Sequence, residues 1–182
     1  MNALDVTYVP ELPAHDLEIE EINAEAFGPG RFVRAAYHIR EGGPHCRDLS
    51  FVALVDGAVI ASVLMTPIAA GEGRALLLGP LAVRPAYKNL GIGRKLVAIA
   101  LEAARKDGWP LVILIGDAPY YMPLGFNKVV PRGQLQMPRP VDPTRVLACE
   151  LVEGALEAFV GEVVHADQAR TSSARATHIA AE

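Results

Sequence analysis

The sequence predicts an α/β chain of the α+β kind, with a sheet whose strands run both antiparallel and parallel. Three observations carry that expectation. Residues 49–55 and 58–65 flank Asp56-Gly57, a two-residue pair suited to closing a β-hairpin. Residues 76–83 are almost continuously apolar, as a strand buried on both faces reads, and would extend the antiparallel run. A helical pattern over 91–106 then leads to a second apolar run at 111–115, and a strand–helix–strand unit of this kind sets its strands parallel.

Taken in order, residues 4–9 read as a short first strand, stopped by Pro10 and Pro13. Residues 17–27 read as a helix, with Asp16 as a cap and Ile19, Ile22 and Ala26 at helical spacing. It is rich in acid, with Glu18, Glu20, Glu21 and Glu25. Gly28-Pro29-Gly30 breaks it, and residues 31–40 read as a second short helix ended by Gly42-Gly43-Pro44. Gly71-Glu72-Gly73 forms a turn before the apolar strand at 76–83. Gly79-Pro80 interrupts that strand: glycine marks a bulge and proline cannot donate to a ladder. A bulge there splays the strand from its next neighbour, leaving Leu81, Ala82 and Val83 free to pair with an extended ligand.

The helix at 91–106 has the clearest apolar face, with Leu96, Val97, Ala100, Leu101 and Ala104, and Gly108 ends it. After the strand at 111–115, residues 120–124 read as one or two helical turns closed by Gly125, with a strand at 126–130. Residues 131–143 are proline-rich and read as a loop; 146–151 as a strand, 153–158 as a helical turn and 159–164 as a last strand. One domain over 1–165 is expected. Beyond it the composition turns to Ala, Thr, Ser and Arg without aromatics, so 166–182 is expected to be a poorly ordered tail.

At 51% apolar and 21% charged residues, the composition supports a packed core. A net charge of −4 argues against a nucleic-acid binder that relies on overall positive charge. Cys46 and Cys149 match no metal or redox spacing, so two free thiols and no metal site are expected. The opening MNALDVTYVPEL has no basic region followed by an apolar core, and no run of about 18 apolar residues occurs. A cytoplasmic chain without signal peptide or membrane span is therefore expected.

The most informative stretch is Lys88-Asn89-Leu90-Gly91-Ile92-Gly93, directly before the helix. Two glycines at a helix start let backbone N–H groups crowd round an anion. The helix end adds roughly half a positive charge, and Arg94 and Lys95 add mobile charge. Strand, glycine turn and basic first helical turn together suggest a pyrophosphate site. A dinucleotide-binding oxidoreductase fits poorly. Leu96 stands where its third glycine belongs, and no acidic residue ends 111–115.

Two separated pieces of this chain resemble the GNAT superfamily of N-acetyltransferases. Leu81-Ala82-Val83-Arg84-Pro85 with Lys88 to Gly93 is similar to the family's acetyl-CoA motif, and Tyr121-Met122-Pro123-Leu124-Gly125-Phe126 to its tyrosine, three residues, Gly-Phe. Gly116-Asp117-Ala118-Pro119-Tyr120-Tyr121 looks like one bacterial branch of predicted acetyltransferases. Lys88 departs from the usual Gln or Arg, keeping the charge but losing the planar fork. Pro123 is compatible only with a first helical turn or a position outside the helix.

The resemblance implies a mostly antiparallel sheet of about seven strands, splayed in the middle, with helices on both faces. It implies acetyl-CoA as cosubstrate, its pantetheine along Leu81, Ala82 and Val83 and its pyrophosphate on Lys88, Asn89, Leu90, Gly91, Ile92, Gly93 and Arg94. An amine, small-molecule or peptide, would be acetylated by direct attack, with Tyr121 as general acid. Glu21 or Glu25 would be the base, with His38 and His45 in reserve. The alternative on the same fold is a non-catalytic acyl-CoA sensor. Monomer and homodimer both remain open.

Overall fold

A computed structural model describes residues 4–171. Nine strands form the sheet: β1 (Thr7–Pro10), β2 (Phe51–Val55), β3 (Ala58–Gly71), β4 (Gly73–Val83), β5 (Leu111–Ile115), β6 (Asn127–Lys128), β7 (Leu135–Gln136), β8 (Val146–Glu150) and β9 (Phe159–His165). Four helices up to residue 165 accompany them: α1 (Asp16–Phe27), α2 (Ala35–Arg40), α3 (Ile92–Lys106) and α4 (Ala118–Tyr121). The main path across the sheet is β1-β2-β3-β4-β5-β8-β6, seven strands as expected. Long β3 also pairs with β9 near its far end, and β9 pairs with β7.

Neighbours on the main path are antiparallel except β4 and β5, which the α3 crossover makes parallel. That pair is short. Only Leu76↔Val112 and Leu77↔Ile113 face each other. Beyond them β4 runs on to Val83 and β5 to Ile115 without pairing to each other. In the β3–β4 register, Val63 faces Leu81 while Met65 faces Leu78. Gly79 and Pro80 together thus oppose Leu64, which is the bulge read from the sequence. The sheet opens at its centre.

Alternation along the strands distributes the core to both faces. Leu76, Leu78, Val112 and Leu114 pack with Leu96, Val97, Ala100 and Leu101 of α3. Leu77, Leu111 and Ile113 pack on the other face with Ile39 of α2. Val52, Val59 and Ala82 share that face with Ile19 and Ile22 of α1.

Several elements differ from the sequence reading. The helix expected at 31–40 divides, because Arg34 is extended at ψ 146° between a 3-10 turn at Pro29–Val33 and α2. β4 starts at Gly73, where Phe159 Cα lies 2.6 Å from any added Cβ, so close packing on β9 selects glycine. The strand expected at 126–130 is only β6, and the proline-rich loop contributes β7, whose partner lies far along the chain. At 153–158, i→i−3 bonds from Ala155, Glu157 and Phe159 form successive turns rather than a helix. Order extends past 165. Residues 166–171 are helical, and His165 before them is fully buried, its Nε2 3.0 Å from the Pro44 carbonyl. The remainder of the expected tail, 172–182, lies outside the described residues. No helix among the described residues is long and apolar enough to cross a membrane.

Candidate active site

The opening between β4 and β5 is one wall of a cleft of about 1310 Å³. Leu78–Val83, Ile115, Gly116 and Asp117 border the gap itself. Lys88, Asn89, Gly91, Ile92, Gly93 and Arg94 close one end. Residues of α1, the 3-10 turn, α2 and the 140–145 loop enclose the other.

At the first end, α3 begins with Gly91 as N-cap at φ 79°, and Asn89 is also left-handed at φ 64°. No side chain caps the helix, and its first internal bond is Lys95 N–H to the Gly91 carbonyl, 3.0 Å. The amides of Gly91, Ile92, Gly93 and Arg94 are therefore the four that an α-helix leaves without internal partners. Nothing lies within 4 Å of a Cβ built on Gly91, so its backbone angle, not space, selects glycine. Gly93 differs. A Cβ there would stand 2.8 Å from Tyr120 Oη and 3.5 Å from Val83 Cγ2. The Arg94 guanidinium lies 5.5 Å from the Tyr120 ring centre. Leu90 turns outward at 58% exposure and does not line the cleft.

Tyr121 sits at the mouth of the splay, at the end of α4. Its ring lies across Gly116, where a Cβ would meet Tyr121 Cε2 at 2.5 Å. Phe126 and Tyr120 hold it edge-on, with centroids 5.8 and 4.8 Å away. Pro123 falls in the following 3-10 turn, Met122–Leu124, and Gly125 ends that turn at φ 97°, so proline does not displace the tyrosine. Burial first, then Tyr120 and Asp117, push the Tyr121 phenol up to about 12, against the opposing charge of Arg145. That direction keeps the phenol protonated at neutral pH. Gly116 as the seat of this ring was not singled out from the sequence; the signal was its place two residues before Ala118-Pro119-Tyr120-Tyr121.

The glutamates behave differently. Glu21 and Glu25 do not line the cleft. They turn to Arg84, at 3.5 and 3.6 Å, on an exposed part of the helix. Their helical spacing puts both on one side of α1, and the adjacent side, with Glu20 and Asn23, faces the cleft. His38 pairs with Glu41 and His45 with buried Glu11, also outside the cleft. Three carboxylates do line it: Glu20, Asp117 and Asp142. Glu20 is bound to Arg31. Asp142 accepts from Thr144 N and Oγ1, bonds that hold its carboxyl below the usual range. Asp117, the N-cap of α4, makes no capping bond and no ion pair among the described residues.

This geometry defines a class: a mixed-sheet protein with a cleft between splayed parallel strands and an uncapped helix start beside it. The comparisons narrow the class. The model of the acetyltransferase (GNAT) family matches residues 17–126, and the chain belongs to that family. The uncharacterized N-acetyltransferase YjhQ of Escherichia coli K12 is 29% identical over 140 residues, 75% of this chain and 77% of that one. The crystal structure of the GNAT N-acetyltransferase YhbS from Escherichia coli in complex with CoA superposes with a TM-score of 0.75 at 25% identity, covering 91% of this chain and 92% of that one. A GNAT acetyltransferase from Brucella melitensis in complex with acetyl-CoA gives a TM-score of 0.58 at 25% identity, covering 85% and 99%.

Proposed function

We propose that this acetyltransferase moves the acetyl group of acetyl-CoA to a primary amine by direct attack in a ternary complex. The observation that carries the reading is the gap after Leu77 and Ile113, which opens beside the four partnerless amides of α3. The pyrophosphate rests on those amides, with Lys88 and Arg94 alongside, and the pantetheine arm pairs with Leu81 to Val83 as an added strand would. Relatives crystallised with CoA and acetyl-CoA support this choice of cosubstrate.

The chemistry follows from the other end. A neutral amine nitrogen attacks the thioester carbonyl carbon, the C–S bond breaks, and an amide and a thiolate result. Tyr121 holds the leaving sulfur by a strong hydrogen bond and keeps its proton, since a phenol near 12 is a weaker acid than a thiol near 8.5. The amine's surplus proton leaves to Asp117 directly or through water. Asp117 takes that role in place of Glu21 and Glu25 because it lines the cleft beside Tyr121 and is bound to no cation among the described residues. No covalent enzyme intermediate is needed. Cys46 and Cys149 are free, and burial raises both thiols, which disfavours a thiolate nucleophile.

Calorimetric titration with acetyl-CoA and with NAD, followed by thiol release against an amine panel, tests the reading. Micromolar acetyl-CoA binding with amine-dependent thiol release is the expected result. Tighter binding of NAD would overturn it, and acetyl-CoA binding without any transfer would make the chain a sensor.

A further inference from the structure

The half of the cleft away from α3 is lined by four arginines, and three of them have no carboxylate within ion-pair distance among the described residues. Arg31 is engaged with Glu20 and the Gly28 carbonyl. Arg34, Arg40 and Arg145 make no ion pair among the described residues, and all three line the cleft. Arg40 is the most telling. Its side chain reaches the bulge of β4 and donates from Nη1 to the Gly79 carbonyl at 3.3 Å. A guanidinium carries five N–H donors, so one long bond leaves most of them unused. Burial pushes Arg40 down to about 10, and the Arg34 charge acts the same way. A half-buried cation held beside like charge, lining a cavity with donors to spare, is suited to pairing with an anion.

The phosphates of the cosubstrate are not that anion. On the proposed function they lie at α3, past Val83. Gly79 and Val83 are four residues apart along β4, on the order of 13 Å at about 3.3 Å per residue. Arg40 is therefore at the thioester end, where the acceptor enters.

We infer that the acceptor is a small amine carrying its own acid group, a carboxylate or phosphate that docks on Arg40 with Arg34 and Arg145 around it, while its amine reaches the thioester beside Tyr121. This rests on the proposed function and names the acceptor class for the same site. The arrangement also aids the chemistry. An alkylamine has a reference pKa near 10.4, and cations close by favour its neutral, attacking form.

Matched acceptors test the inference. Each of a set of L-amino acids is compared with its carboxamide, and phosphoethanolamine with ethanolamine, by thiol release from acetyl-CoA. One charge-assisted hydrogen-bonding contact corresponds to about tenfold or more in kcat/KM, so the acid member of at least one pair should lead by that factor. The carboxylate and phosphate arms decide which acid is taken. Arg40→Gln should reduce the acid-over-neutral ratio about tenfold while leaving the acetyl-CoA Kd within about twofold. Arg34→Gln, on an exposed side chain, should lower the same ratio less and covers the case in which the Arg40 variant fails to fold. Equal rates for acid and neutral members overturn the inference and leave acetyl transfer standing. Acetyl-CoA binding with no transfer to any member overturns both, and absence of acetyl-CoA binding overturns the proposed function at its root.

Discussion

The two ends of the cleft are built on different principles. At the α3 end the polar groups on offer belong to the backbone: four amides, two left-handed residues at Asn89 and Gly91, and a glycine, Gly93, that lets Tyr120 approach. At the α2 end they belong to side chains: Arg34, Arg40 and Arg145 come from segments more than 100 residues apart in the chain. A backbone site recognises a constant group and needs contiguous sequence. A side-chain site can be retuned one residue at a time, which suits the partner that varies. The neighbouring tyrosines straddle the divide, with Tyr120 Oη against Gly93 and Tyr121 across Gly116.

The comparison breaks if changes at one end alter the parameter that belongs to the other. The largest effect is expected from Tyr121→Phe. It should lower kcat on the order of 10²-fold with nearly unchanged acetyl-CoA affinity, measured by steady-state kinetics and calorimetry. Parent turnover, with chemistry limiting, would make Tyr121 a packing residue. Tyr120→Phe is the companion variant and should act on acetyl-CoA affinity more than on kcat.

Gly91→Val comes next. A β-branched residue at φ 79° is strained by about 1–3 kcal/mol, so the acetyl-CoA Kd should rise about tenfold or more. Gly91→Asn should be milder, because asparagine tolerates the left-handed region. If both variants weaken binding equally, the phosphate space and not the backbone angle is limiting. Lys88→Ala should cost a few-fold in affinity at low salt and less at high salt, since charges at the surface are screened over about 10 Å at 0.1 M. A loss independent of salt would place Lys88 in packing instead.

The smallest expected effect concerns alkaline stability. The folded Tyr121 pKa is raised from 10.0 to about 12, so the folded state holds this proton more tightly than the unfolded one. That contribution is complete below about pH 10 and is lost as pH rises toward 12. Denaturant unfolding between pH 9 and 11.5 should show a steeper loss for the parent than for Tyr121→Phe. Equal slopes would indicate a phenol in contact with water.

How much of this was legible follows the same division. The α3 end reads from contiguous residues, because helix amides and left-handed turns leave a local mark in Asn89, Gly91 and Gly93. The splay reads too, through Gly79-Pro80. The placement of the acids does not. A run of glutamates gives composition but not rotation, and one step round α1 separates Glu21 and Glu25, which meet Arg84, from Glu20, which faces the cleft. Arg40 was hidden for another reason. Its meaning depends on a carbonyl 39 residues away and on its making no ion pair among the described residues, neither of which has a local pattern. The short strand β7 escaped because its two residues are ordered by β9, not by their own propensity.

The seam between β4 and β5 has a consequence beyond catalysis. Two facing pairs, Leu76↔Val112 and Leu77↔Ile113, are all the ladder that joins the halves of the sheet. On the proposed function, the pantetheine arm supplies the missing rungs. Unfolding the protein then requires releasing its cosubstrate, and acetyl-CoA at 100 times its Kd would add about 2.7 kcal/mol of stability. Amide exchange from Leu78 to Val83 should slow when acetyl-CoA is added.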